Sequence, residues 1–183
     1  GGRKILIVSD PGVAAAGLTG QAVQALGLHD LSVKVYDAVE SDPGTASVQA
    51  ALDEACDLAA EVIIGLGGGS SMDVAKVVSV MMTNPGPLPD YFGIGQVPGP
   101  GLPLILIPTT LGTGSEATNI AVLSDNDRGV KNGIVSEYLY ARCAILDPLL
   151  TVSLPPEITA TTGMDALAHA LESYTGKRAN VWT

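Results

Sequence analysis

Apolar residues fall along this chain in short blocks separated by polar, glycine-rich turns. Lys4–Ser9 holds a continuous Ile-Leu-Ile-Val run with no polar face, the pattern of a strand buried on both sides of a parallel sheet. Asp10-Pro-Gly12 then turns the chain, and Val13, Leu18, Ala22, Val23 and Leu26 follow at roughly helical spacing up to Gly27, a helix stop. Leu31–Tyr36 predicts a second strand. After the turn Ser41-Asp-Pro-Gly44, Val48, Leu52, Ala55, Cys56 and Ala59 mark one face of a second helix. Glu61–Leu66 predicts a third buried strand, which runs through Gly67-Gly-Gly-Ser-Ser-Met-Asp73 into a helical stretch over Val74–Met82. Strands alternating with helices in this way predict an α/β chain built on a doubly wound, mostly parallel sheet.

Asn84–Pro103 is dense in Pro and Gly, a composition unsuited to helices and central strands, and is expected to form a surface loop. Leu104–Ile107 predicts a fourth core strand, followed by a second polar turn, Pro108-Thr-Thr-Leu-Gly-Thr-Gly-Ser115. Further strands are expected at Ile120–Leu123, Gly133–Val135 and Ala141–Leu146, with Asp125–Gly129 as a hairpin turn. After Asp147-Pro148 the character changes. Leu154-Pro-Pro-Glu157 opens a helix that continues through His169 to about Tyr174. No internal repeat or low-complexity tract is present.

The composition, 46% hydrophobic but only 4% aromatic with 22 glycines and 12 prolines, fits aliphatic elements joined by tight turns. Nineteen acidic residues against nine basic ones give a net charge of −10, which repels phosphate backbones and disfavours nucleic acid or an anionic membrane as partner. A small molecule is the expected partner. No apolar stretch reaches the roughly 20 residues of a membrane span, and no basic-then-apolar leader is present, so a cytoplasmic protein is expected. Cys56 and Cys143 lack any Cys-x-x-Cys pairing and are expected to be buried thiols rather than a disulfide or metal site.

Candidate chemistry lies at the two glycine-rich turns and in the last helix. A strand turning into a helix presents free backbone N–H groups and a positive dipole end, which suits a pyrophosphate. Gly67, Gly68 and Gly69 allow its close approach, Ser70 is a candidate helix cap, and Asp73 stands at a capping-box-like position. Gly65-Leu-Gly67-Gly-Gly-Ser70 departs from the G-x-G-x-x-G fingerprint, and no Gly-Lys-Ser/Thr follows, which excludes a phosphate-loop kinase; a tight turn that binds nothing is the alternative. Asp10, just past the first strand, suits the two hydroxyls of an adenosine ribose and would repel a 2′-phosphate, favouring NAD over NADP; an ordinary Asp-Pro-Gly turn is the competing reading. Asp165 and His169 share a helical face, where they form half of a divalent-metal site or simply a solvated surface. The chain has two histidines in all, the other being His29.

Three segments together resemble the iron-containing (group III) alcohol dehydrogenases: Gly67-Gly-Gly-Ser-Ser-Met-Asp73 with Ala75-Lys76, Pro108-Thr-Thr-Leu-Gly-Thr-Gly-Ser-Glu116 with Thr118, and Gly163-Met-Asp-Ala-Leu-Ala-His169 with Glu172. The resemblance runs from Lys4 to Tyr174. It implies a Rossmann-like, dehydroquinate-synthase-like NAD-binding domain over residues 1–147 and, over 148–183, the start of a helical metal-binding domain that is largely absent. It also implies that Gly68, Gly69, Ser70, Asp73, Thr109, Thr110, Thr113, Thr118 and Lys131 hold NAD, and that Asp10 selects it over NADP. Asp165 and His169 match the first two of four ligands to Fe2+ or Zn2+, the other two being histidines from the later helical domain. A further N-terminal strand is usual in the family, so both ends look truncated. The implied reaction interconverts an alcohol with its aldehyde or ketone, with no catalytic group beyond the metal ligands. Leu167, Ala170 and Leu171 of the last helix would normally pack against the later domain, so an exposed patch that favours dimerisation or aggregation, and hence a homo-oligomer, is expected. The alternatives are a non-catalytic dinucleotide-binding module and a glycerol-dehydrogenase-like or dehydroquinate-synthase-like relative.

Overall fold

A computed structural model describes residues 2–125 and 129–181. The expected alternation is present. β1 (Lys4–Val8), α1 (Pro11–Ala15), α2 (Leu18–Gly27), β2 (Ser32–Tyr36), α3 (Thr45–Leu58), β3 (Val62–Gly67) and α4 (Gly69–Met81) follow one another. Then come the two-residue β4 (Gly93–Ile94), β5 (Leu104–Pro108), β6 (Ile120–Asp125), β7 (Val130–Val135), the two-residue β8 (Cys143–Ala144) and α5 (Pro156–Thr175).

The main sheet has the order β2-β1-β3-β5-β8, and all its pairings are parallel. Because strand side chains alternate between faces, β1 sends Leu6 and Val8 into one core and Ile5 and Ile7 into another. The first core is closed by α3 and α4, through Val48, Ala51, Ala55, Val74 and Val78, and the second by Leu18, Ala22, Val23 and Leu26 of α2. This two-sided burial is why the strands read as unbroken apolar runs. β1 leads to β2 on one side, while β3 lies on its other side, so the loops after β1 and β3 diverge and leave a crevice at the sheet's C-terminal edge.

Several expectations are corrected. The helix expected from Val13 to Leu26 is two helices: the first ends where Gly17 N–H donates to Ala14 O (2.9 Å), and the chain turns before α2. The strands expected after β5, to which the sequence assigns no sheet, are present and divide between two sheets. β6 and β7 pair antiparallel, with β4 beside β7, in a second three-stranded sheet; only Cys143–Ala144 of the third expected strand extends the first. The hairpin turn at 125–129 lies largely outside the described residues. Asn84–Pro103 is no simple surface loop, because Leu88, Tyr91 and Val97 are buried in the first core. The Tyr91 hydroxyl donates to Asn84 O (2.7 Å), while Asn84 Nδ2 donates to Val80 O and Gly99 O. Pro and Gly here shape a packed connection. Cys56 and Cys143 are free, as expected, but exposed rather than buried. Cys56 follows Ala55, the last buried position of α3, and so points round toward solvent; Cys143 sits on the edge strand β8.

Candidate nucleotide-binding site

β3 delivers the glycine turn to the sheet edge, where Gly67 adopts φ 156°. A Cβ on Gly67 would lie 2.7 Å from Ser71 Oγ and 2.8 Å from Asp10 Oδ2, so glycine is required there on both counts. Thr109 N–H donates to Gly67 O (3.0 Å), and Ser9 Oγ donates to Leu66 O (2.7 Å), locking the ends of β5 and β1 against the same turn. α4 begins at once, with Gly68 as N-cap and no side chain capping it. Ser70 is therefore not the cap expected from the sequence but a residue of the first turn. Its helix presents backbone N–H groups to the crevice, the arrangement that attracts an anion.

A cleft of about 680 Å³ lies over this helix end. Asp10 to Val13 form one wall, Val39 to Ser41 another, and Gly68 to Ser71 the floor; Thr109, Thr110 and Thr113 face the glycines, and Leu154, Ile158, Thr161 and Thr162 close it from α5 and its approach. Side chains at Gly68 and Gly69 would run into Thr110 Oγ1 (3.3 Å) and Thr113 Cγ2 (3.0 Å), so the two polar turns meet as bare backbone against threonine. The sequence-predicted Asp10, Gly68, Gly69, Ser70, Thr109, Thr110 and Thr113 are thus brought together on one cleft.

The other predicted residues stand elsewhere. Asp73 turns away from the cleft and accepts from Ser115 Oγ (2.6 Å) and Val122 N (2.9 Å). Its carboxyl is held above the ordinary carboxylate range, mainly by burial and against the opposing pull of Lys76. Lys76 is fully buried; its Nζ donates to Ser115 Oγ (2.8 Å), Ile120 O (2.8 Å) and Thr118 Oγ1 (3.2 Å), and lies 3.6 Å from Asp73. Burial lowers the Lys76 pKa, with the Asp73 charge opposing. Thr118 is accordingly part of a buried network behind the cleft. Lys131 pairs with Asp42 (2.6 Å), an exposed contact beside the wall residue Ser41. Asp165 Oδ1 and His169 Nε2 are 3.7 Å apart on the exposed face of α5, one helical turn from each other. Among the described residues, no group of three or more His, Cys, Asp and Glu is arranged to hold a metal ion.

A family model described as iron-containing alcohol dehydrogenase matches residues 1–148. The chain belongs to that family. Sulfoacetaldehyde reductase of Bilophila wadsworthia is 51% identical over 175 residues, which make up 96% of this chain and 45% of that protein. The crystal structure of a 1,3-propanediol oxidoreductase superposes with a TM-score of 0.94 at 36% identity, covering 99% of this chain and 47% of the other. That of sulfoacetaldehyde reductase from Bifidobacterium kashiwanohense in complex with NAD+ superposes with a TM-score of 0.86 at 35% identity, over 94% and 46% of the two chains. The chain spans slightly under half the length of these relatives.

Two contributors to the site were not assigned a role from sequence. Ser71 reaches Asp10 across 61 positions, and its sequence context does not distinguish it from Ser70. Lys76 is a lysine in an apolar stretch, Val74-Ala75-Lys76-Val77-Val78, a sign that it is buried and paired rather than solvated.

Proposed function

We propose that this chain supplies the NAD-binding part of a metal-dependent alcohol dehydrogenase that interconverts an alcohol with its aldehyde or ketone by hydride transfer. The carrying observation is the uncapped N-terminus of α4, floored by Gly68–Ser71 and opening on the cleft at the point where the loops after β1 and β3 diverge. Donors of this kind suit a pyrophosphate, and the cleft volume falls within the roughly 300–1,000 Å³ of small-molecule sites. Gly68, Gly69 and Ser70 would hold the pyrophosphate, and Thr109, Thr110 and Thr113 would line the nucleotide's path. Asp10 would accept the ribose hydroxyls and exclude a 2′-phosphate. Asp73 and Thr118 would support the site from behind rather than touch the nucleotide, and Lys131 would reach it only after releasing Asp42.

Residues 1–147 form the NAD-binding domain in this reading, and 148–183 open a second, helical one. Asp165 and His169 fit a divalent cation as half of a ligand set, because spacing by one helical turn brings a carboxylate and an imidazole side by side. Bound Fe2+ or Zn2+ would polarise the substrate oxygen and lower its pKa. A small alcohol or aldehyde is the proposed substrate, and the enzyme is proposed to be cytoplasmic and homo-oligomeric. A second reading, a dinucleotide-binding module without turnover, is favoured by the lack of a third metal ligand near this pair among the described residues.

Titration of the chain with NAD and NADP, then with Fe2+ or Zn2+ and short alcohols and aldehydes, including sulfoacetaldehyde, tests both readings. NAD binding that outcompetes NADP is expected. Alcohol-dependent NADH formation with bound metal supports the dehydrogenase over the module, whereas absence of nucleotide binding overturns both.

A further inference from the structure

We infer that Ser71 is a positioning residue for nucleotide choice: it fixes the Asp10 carboxylate in the orientation that accepts a ribose and rejects a 2′-phosphate. The inference rests on the proposed role of Asp10. Ser71 is buried in the first turn of α4, yet its Oγ donates outward to Asp10 Oδ2 (2.9 Å). The other carboxylate oxygen, Oδ1, accepts from Val13 N (3.0 Å) as the N-cap of α1. One oxygen is thus tied to the helix after β1 and the other to the helix after β3, so rotation about the carboxylate's own bonds breaks at least one hydrogen bond. An N-cap bond alone would leave Oδ2 free to swing.

The surroundings are built to fit this contact. A side chain on Gly67 would strike both Ser71 Oγ and Asp10 Oδ2, so the bare backbone at 67 is what lets the two groups meet. A carboxylate has about four acceptor positions, of which the two internal donors use two; the rest remain for ribose hydroxyls, and Asp10 and Ser71 both line the cleft. Preorganising a charged acceptor in this way sharpens discrimination, because a fixed carboxylate cannot turn aside from an added phosphate.

The test measures dissociation constants of the intact chain for NAD and NADP by calorimetry, in the parent, Ser71→Ala and Asp10→Ser. Alanine is the better helix former, so Ser71→Ala removes the hydroxyl without opposing α4; serine is itself a good N-cap, so Asp10→Ser keeps α1 while removing the charge. The expected result is that Ser71→Ala lowers the NAD-over-NADP preference by about three- to tenfold, within the net worth of one ordinary hydrogen bond, and that Asp10→Ser lowers it further. A purely structural Ser71 would weaken both nucleotides by the same factor. If Asp10→Ser lowers the preference and Ser71→Ala leaves it unchanged, the inference falls and the role of Asp10 stands. If Asp10→Ser itself leaves the preference unchanged, both fall.

Discussion

Lys76 and Asp73 show how much of this site is held from behind. The pair ties α4 to the residues around Ser115 and to β6, the stretch that carries the threonine turn toward the glycines. Removing one partner of a buried ion pair leaves the other charge without compensation, at a cost of about 3–5 kcal/mol. Lys76→Met is therefore expected to lose roughly that much stability near neutral pH in urea unfolding. The loss should depend on pH. Burial raises the Asp73 carboxyl above its ordinary value of 3.8, so its contribution is fully present below that value and fades as pH rises through the raised one. Without Lys76 the opposing charge is gone and the carboxyl moves higher still, which widens the window. The penalty of Lys76→Met should be smallest near pH 4 and grow toward neutrality; a penalty constant over that range would show that Asp73 does not feel the lysine.

Most elements were legible because their signals are local. The core strands β1, β3 and β5 announce themselves as short aliphatic runs, the edge strand β2 as an alternating one, and α5 by Pro-Pro-Glu at its start. What was not legible depends on contacts between distant residues. The hydrogen-bonding pattern of β6 and β7 belongs to a separate sheet, and Tyr91 finds Asn84 only once the intervening prolines have folded back. The site divides the same way: the glycines and threonines of the two turns could be assigned to one nucleotide through the family resemblance, but whether Asp73 points into the cleft or behind it could not. The docking of α5 on the threonine turn is another long-range contact, and it is sterically exact. Gly112 has φ 124°, and a Cβ there would lie 2.3 Å from Thr162 O. Gly112→Ala is expected to lift α5 from the turn, costing about 1–3 kcal/mol and speeding hydrogen exchange in residues 156–175. Gly20, exposed in the first turn of α2 with no atom near its Cβ position, offers the contrast: Gly20→Ala should gain about 0.4–1 kcal/mol. Equal effects at the two sites would mean that the α5 contact does not hold the helix.

At the scale of the whole molecule, two opposing features set its behaviour in solution. α5 runs for 20 residues without a buried one, and Met164, Leu167, Leu171 and Tyr174 lie at least half exposed. Leu146, Leu149 and Val152, just before it, are exposed to about the same or a greater degree. Exposed apolar residues three to four positions apart along one helix favour association. The net charge of −10 opposes it, through repulsion that salt screens over a Debye length of about 10 Å at 0.1 M. Self-association is therefore expected to be weak at low ionic strength and to strengthen as salt is added, a trend opposite to that of an assembly held by ion pairs. Light scattering across a salt series would show it, and the double substitution Leu167→Glu with Leu171→Glu should return the chain to monomer by breaking the apolar face and adding charge to it. The same substitutions should leave NAD affinity within about twofold, because neither leucine lines the cleft. A monodisperse monomer at every salt concentration would show that the exposed face of α5 is too small or too divided to drive association against the molecule's charge.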